Sequence, residues 1–181
     1  MVEITCKVDY KNYEEFFFYT QTKIFKILKI LGWIVAGFGL LYGVCACIDF
    51  VAEDFVYDMV YTIIEVACGM LFAYGIRKIS LNSFKKAFNS NKLYTTNTSI
   101  YYQLNETNFR VLTTGALGIE DCTYSYKIIT KAVETKNAFY LFISTNASHV
   151  IPKSSSSNEV NGKISDTLKE ILKDKYILDI K

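Results

Sequence analysis

The amino-acid sequence predicts an α+β membrane protein: a two-helix transmembrane hairpin plus a small antiparallel β domain closed by a C-terminal helix. Three patterns predict it. Ile30 to Ile48 holds no charged residue, and Met59 to Ile76 holds one. From Lys92 onward apolar and polar residues alternate in short runs broken by turn residues. The last part of the chain carries a single apolar stripe at helical spacing.

Composition agrees with a split between lipid and water. Of 181 residues 51% are hydrophobic, which is high for a water-soluble domain and low for a chain buried wholly in lipid. The net charge is only +2, so no nucleic-acid partner is expected from a positive field. One proline and nine glycines leave little room for long linkers.

The first apolar run covers about 28 Å as a helix, close to the hydrocarbon thickness of a bilayer. Its Ile, Leu, Val and Phe residues favour insertion by roughly 3 to 5 kcal/mol. The second run is interrupted by Glu65. A carboxylate near a helix centre costs roughly 2.5 to 3.5 kcal/mol, which makes that span marginal alone and plausible as the second arm of a pair. Glu65 is therefore expected to face the first helix, a second copy or a wet cavity. Snorkelling to the outer face, hydrogen bonding with Tyr42 or another protomer, and ion handling all stay open. Gly39 and Gly43, with Gly69 and Ala73 on the second run, give the small-residue spacing that allows close helix packing.

Charge sets the orientation. Lys23, Lys26 and Lys29 precede the first span, and Arg77, Lys78, Lys85 and Lys86 follow the second. Between them Asp49, Glu53, Asp54 and Asp58 stand without a lysine or arginine. Basic flanks stay inside, so the expected localisation is the inner (plasma) membrane, multi-pass, with both termini cytoplasmic and the loop 49–58 outside. The leader is long and holds Glu3, Asp9, Glu14 and Glu15, unlike a cleaved signal. The expected organisation is a cytoplasmic strand and juxtamembrane helix (1–29), the hairpin (30–76, spans 30–48 and 59–76), a basic linker (77–90) and the β domain (91–181). Sequons beginning at Asn97, Asn105 and Asn146 have no role in that topology.

Val2, Ile4, Cys6 and Val8 alternate with polar residues as in a half-buried strand. Asn12 with Glu15 reads as a helix cap, with a helix from Tyr13 toward Leu28. Phe16, Phe17, Phe18 and Tyr19 suit either a membrane interface or packing on the β domain. A short helix from Ser80 to Phe88 leaves the second span.

Ile100, Tyr102 and Leu104 predict one strand, Phe109 and Val111 a second, and Tyr124, Tyr126 and Ile128 a long third. Gly115 to Gly118 reads as a hairpin turn. Further strands hold Phe139, Leu141 and Ile143, then His149, Val150 and Ile151. Ser157 or Asn158 caps the final helix, whose stripe is Val160, Ile164, Leu168, Ile171 and Leu172. A meander closed by one amphipathic helix suggests a pleckstrin-homology-like half-open barrel.

Three segments carry a family resemblance. Tyr126-Lys127-Ile128-Ile129, Phe139-Tyr140-Leu141-Phe142-Ile143 and Val150-Ile151-Pro152-Lys153 resemble the YcxB-like family of bacterial membrane proteins. The N-terminal strand and the paired spans fit the same family. Tyr126 departs from it mildly, standing where another aromatic such as Trp is usual. The resemblance implies fold and topology, with Ile151, Pro152 and Lys153 as the family motif; it implies no activity.

No nucleophile–base set or phosphate loop stands out, so neither an enzyme nor a cofactor is expected. His149 is the one histidine, and Cys6, Cys45, Cys47, Cys68 and Cys122 lack paired ligand spacing, so no metal site is expected either. Lys153 suits either an anionic ligand or plain solvation. Three classes of function remain: a membrane-tethered binding or regulatory module with the lipid bilayer and a protein as partners, a structural protein that oligomerises through its spans, and a transporter using Glu65.

Overall fold

The structure is a computed structural model that describes residues 1–48, 54–90, 98–115, 118–144 and 147–180. It divides into two compact units: Met1–Phe17 with Ala87–Lys181, and Phe18–Lys86. The first start of the β domain, from Asn91 or Lys92, and the sequons at Asn97 and Asn146 lie outside the described residues, as does the loop segment 49–53.

In the first unit, strands β1 (Val2–Lys7), β2 (Ser99–Leu104), β3 (Asn108–Gly115) and β4 (Gly118–Ser125) form a four-stranded antiparallel sheet in that order. The strand preceding the apolar hairpin thus completes a sheet whose other members follow it, with Ile4 opposite Tyr102 and Tyr102 opposite Val111. One face of β1 and β2 is buried in strict alternation. Gly115 pairs with Gly118, whose φ of +124° is open only to glycine at low cost.

The long third strand expected through Ile128 breaks. Ser125 Oγ accepts a hydrogen bond from the Lys127 N–H at 3.3 Å, and Tyr126–Ile128 turns as a 3-10 helix. Tyr126 and Ile129 are both buried, three residues apart, a turn spacing that alternation does not show. The chain then enters a second sheet of β5 (Lys131–Thr135), β6 (Ala138–Phe142), β7 (Ser148–Pro152) and β8 (Tyr176–Asp179), ordered β7-β6-β5-β8. β8, unforeseen in the sequence, runs parallel to β5.

After β1 a long helix α1 (Tyr10–Ile48) runs without a break, so the expected juxtamembrane helix and first apolar run are one element. It starts earlier than the expected Asn12 cap: the Tyr13 N–H donates to the Asp9 carbonyl, and Asn12 lies inside the first turn. Within the first unit its opening turns cover the second sheet. The Phe16 ring lies 5.2 Å from Tyr140 and 5.8 Å from Phe142 on one face of β6, while Phe139 and Leu141 on the other face join the core, and every residue of β6 is buried. For Phe16, packing is the outcome.

The helix expected after Ser157 is α4 (Asn158–Leu172), and Ser157 caps it by accepting from the Val160 N–H. Ile164, Leu168 and Leu172 join a core shared with Phe109, Phe139, Leu141 and Ile151 from both sheets.

The second unit is a helical hairpin. α1 meets α2 (Phe55–Met70), which passes through a π-helical turn at Leu71–Gly75 into α3 (Ile76–Ser90). The second apolar run, its expected helix 80–88 and the linker 77–90 are therefore continuous helix, and the expected loop 49–58 loses residues 55–58 to α2. The two arms run antiparallel: Gly32 lies against Gly69 and Ala73, Gly39 against Glu65, and Gly43 against Thr62. A Cβ on Gly32 would fall 2.5 Å from the Gly69 carbonyl oxygen, so backbone approach there needs glycine. The expected glycine spacing does pack helices, but Gly39 and Gly43 face Glu65 and Thr62 while Gly69 and Ala73 belong to the crossing at Gly32. Outside this seam most large apolar side chains of the hairpin are exposed. Both helices are long and apolar enough to cross a membrane.

Candidate functional site

In the first unit, polar chemistry converges on Glu134. It lies on β5, between β6 and β8, where Val133 and Glu134 are both buried because both faces of the strand are covered. A buried carboxylate must be neutralised or saturated with donors. Lys153 Nζ donates to Oε1 at 2.7 Å, Ser165 Oγ donates to Oε2 at 2.7 Å, and the Tyr176 hydroxyl also donates to Oε2. Ser165 and Tyr176 lie 3.0 Å apart. Burial pushes the Glu134 carboxyl up, but Lys153, Tyr176 and Ser165 together hold it below its ordinary range. Burial and the adjacent carboxylate push the Tyr176 hydroxyl up, keeping it a donor.

The Ile151-Pro152-Lys153 motif builds this cluster. Ile151 is fully buried in the core. Pro152 ends β7, an edge strand that tolerates the missing N–H. The Lys153 N–H then donates to the Asn137 carbonyl at 2.8 Å, and its own carbonyl accepts from Asn161 Nδ2 at 2.9 Å. That turn aims the ammonium at Glu134 and over the Phe139 ring, 4.8 Å from its centre. Lys153 is neither a solvated strand-end lysine nor a free cation.

Above the cluster opens a cleft of about 870 Å³. Asp9, Lys11, Asn12 and Glu15 from the start of α1 form one wall, and Asn158, Asn161, Asp166 and Lys169 of α4 another. Lys136 and Asn137 of the β5–β6 turn complete it, with Asn137 Nδ2 donating to Glu15 at 3.0 Å.

His149 lies apart from the cleft. Tyr102, Phe109 and Tyr124 surround its ring at 5.8, 5.7 and 5.5 Å between centroids. Its Nε2 is buried without a hydrogen-bond partner, and burial pushes its pKa down. The folded state therefore prefers the neutral ring. Its contribution to stability is complete above about pH 6.5 and is lost as pH falls from there through the lower folded value, by up to about 1.4 kcal/mol per pH unit separating the two. Replacing His149 with Phe should flatten this slope, measured as the thermal midpoint of the full chain in detergent between pH 7.5 and pH 5 (about the range in which histidine titrates).

In the second unit Glu65 faces the first helix. A Cβ on Gly39 would lie 2.8 Å from its Cβ and 3.3 Å from its Oε2. Tyr42 is not its partner: that hydroxyl donates to Asp58 Oδ1 at 2.6 Å. Among the described residues no group of cysteines, histidines and carboxylates has metal-site geometry.

Residues 118–160 match the family model described as YcxB-like protein. Over this stretch the chain is similar to that family. The matched residues run from β4 to the first turn of α4 and contain Ile151 and Pro152 together with Glu134 and Lys153, two of the four residues of the polar cluster. Ser165 and Tyr176 lie beyond the match. No curated protein and no solved structure matches the chain. Sequence reasoning missed Glu134, Ser165 and Tyr176. The available signal was a lone carboxylate in the strand run Ala132-Val133-Glu134.

Proposed function

We propose that this YcxB-like chain is a membrane-tethered, non-catalytic binding or regulatory module. Its hairpin spans the inner membrane twice with both termini in the cytoplasm, and its β-rich unit takes a polar segment of a protein partner in the cleft above Glu134. The charge balance of that cleft carries the reading. Lys11, Lys136, Lys153 and Lys169 are offset by Asp9, Glu15, Glu134 and Asp166, so the cleft has no net positive charge to select a phosphate or a nucleic acid. Asn12, Asn137 and Asn158 add amides, which offer donors and acceptors to a peptide backbone.

Non-catalytic character is supported by saturation. Glu134 spends its oxygens on Lys153, Ser165 and Tyr176, and His149 is enclosed by aromatic rings. The order β1 to β7 followed by α4 supports a pleckstrin-homology-like domain, with β8 as an addition. Membrane insertion is supported by helix length and by the exposed Ile27, Ile30, Phe38, Leu41, Ile63 and Leu71. The oligomeric alternative has less support, since Gly32, Ala36, Gly39 and Gly43 are already buried in the hairpin seam. A transporter using Glu65 would need that residue released from Gly39.

Two measurements test this. A reporter active only outside the cytoplasm should be silent after Lys181 and active within 49–58; the reverse pattern overturns the orientation. A photo-reactive residue at Lys136 or Asn158 in the full chain should form a discrete protein adduct in cells, and one at Thr123, exposed on β4 outside the cleft, should not. Equal labelling at all three positions would sink the cleft reading. An adduct with a second copy of the chain would favour oligomerisation.

A further inference from the structure

We propose that the hairpin holds an anionic phospholipid in a cavity at its basic end. The inference rests on the membrane reading above. A cavity of about 350 Å³ opens between α1 and the π turn. Its walls include Phe25, Leu28 and Phe72, and Lys26, Lys29 and Arg77 stand at it. An apolar wall beside three cations is the complement of an acyl chain beside a phosphodiester.

Three further observations support that occupant. First, the cations are left available. Among the described residues the ion pairs are Arg110–Asp121, Lys153–Glu134 and Lys163–Glu159, and none involves these three groups. Second, aromatic faces hold two of them in place. Arg77 lies 4.9 Å from the centre of the Phe18 ring, and Lys29 lies 5.6 Å from that of Tyr74. A cation on an aromatic face keeps its donors for an acceptor elsewhere. Third, the backbone is widened where the cavity lies. The Ile76 N–H donates to the Leu71 carbonyl, five residues back, and Phe72, Ala73 and Tyr74 of that π turn line the cavity. Such turns are frequent at functional sites. The cavity is also placed where the apolar run gives way to basic flanks, the depth of lipid headgroups.

The test reconstitutes the full chain in nanodiscs of phosphatidylcholine with phosphatidylglycerol as the minority lipid. Native mass spectrometry then counts the lipids retained on the ejected protein. The parent should retain phosphatidylglycerol preferentially. The triple variant Lys26→Gln, Lys29→Gln and Arg77→Gln should lose this preference by roughly a hundredfold, about fivefold for each cation removed. The control triple Lys78→Gln, Lys85→Gln and Lys86→Gln removes the same charge near the same end without touching the cavity, and should change it far less.

Equal losses in the two triples would overturn the site in favour of a diffuse basic surface. No preference in the parent would overturn it outright. Displacement by soluble glycerophosphate would reassign the cations to a free phosphate ligand. Carbonate extraction of native membranes separates this proposal from the one beneath it. A parent released into solution refutes membrane insertion, whereas a parent that stays embedded yet shows no phosphatidylglycerol preference refutes the lipid site alone.

Discussion

Leu168→Asp is expected to unfold the β-rich unit. Leu168 has no exposed surface and joins α4 to a core drawn from both sheets. Removing a buried leucine side chain alone costs about 3 to 5 kcal/mol. An aspartate in its place must also lose its charge or its hydration, which adds several kcal/mol more. A domain of this size has only about 5 to 15 kcal/mol to lose. Glu170→Ala, two residues on and exposed, should be nearly neutral. Hydrogen exchange of the full chain in detergent separates the outcomes: amides of β2, β3 and β6 should lose protection in Leu168→Asp and keep it in Glu170→Ala. Protection retained in both would show that α4 does not close the core. Lys169 is a poorer control for the same experiment, because its ammonium lies over the Tyr176 ring and it lines the cleft.

The contrast between α4 and its surroundings explains what the sequence could reveal. Val160, Ile164, Leu168, Ile171 and Leu172 recur at helical spacing, so the buried face of α4 is written locally. The same holds for Val2, Ile4 and Cys6 on β1, where alternation is the signal. Tyr126–Ile128 misled the reading because Tyr124, Tyr126 and Ile128 alternate while the Ser125 side chain stabilises a turn instead. β8 was missed because Tyr176–Asp179 is short and follows a helix with no turn glycine. In the hairpin, glycine spacing identified close packing but not which small residues meet. That depends on the stagger of two helices, and no local pattern fixes it. The cleft is harder still. Glu134, Lys153, Ser165 and Tyr176 are far apart in sequence and belong to different elements, so only the completed fold gathers them.

The most informative variants of that cluster are Glu134→Leu, Lys153→Met and their combination. The side chains of Glu134 and Lys153 are 10% and 19% exposed, so each charge depends on the other for what water would otherwise supply. Removing one partner strands the other, and breaking a buried pair in this way costs about 3 to 5 kcal/mol. Glu134→Leu should be the more damaging single change, because it also removes the acceptor shared by the Ser165 and Tyr176 hydroxyls, only one of which can then donate to the other. Lys153→Met leaves Glu134 with those two hydroxyl donors and should cost less. It should also weaken the dependence of stability on acid pH. In the parent, Glu134 contributes stability that is present above its unfolded pKa near 4.5 and is lost as pH falls through its lower folded value. Without the ammonium, burial is opposed only by the Tyr176 and Ser165 hydroxyls and the folded pKa rises toward the unfolded one, so that loss shrinks. The double variant replaces the pair with apolar side chains and should be more stable than Glu134→Leu, giving a coupling energy of about 2 kcal/mol or more between the two sites. Additive losses in thermal unfolding would show that the pair is not coupled, and the cluster would then not be the rigid floor that the cleft requires.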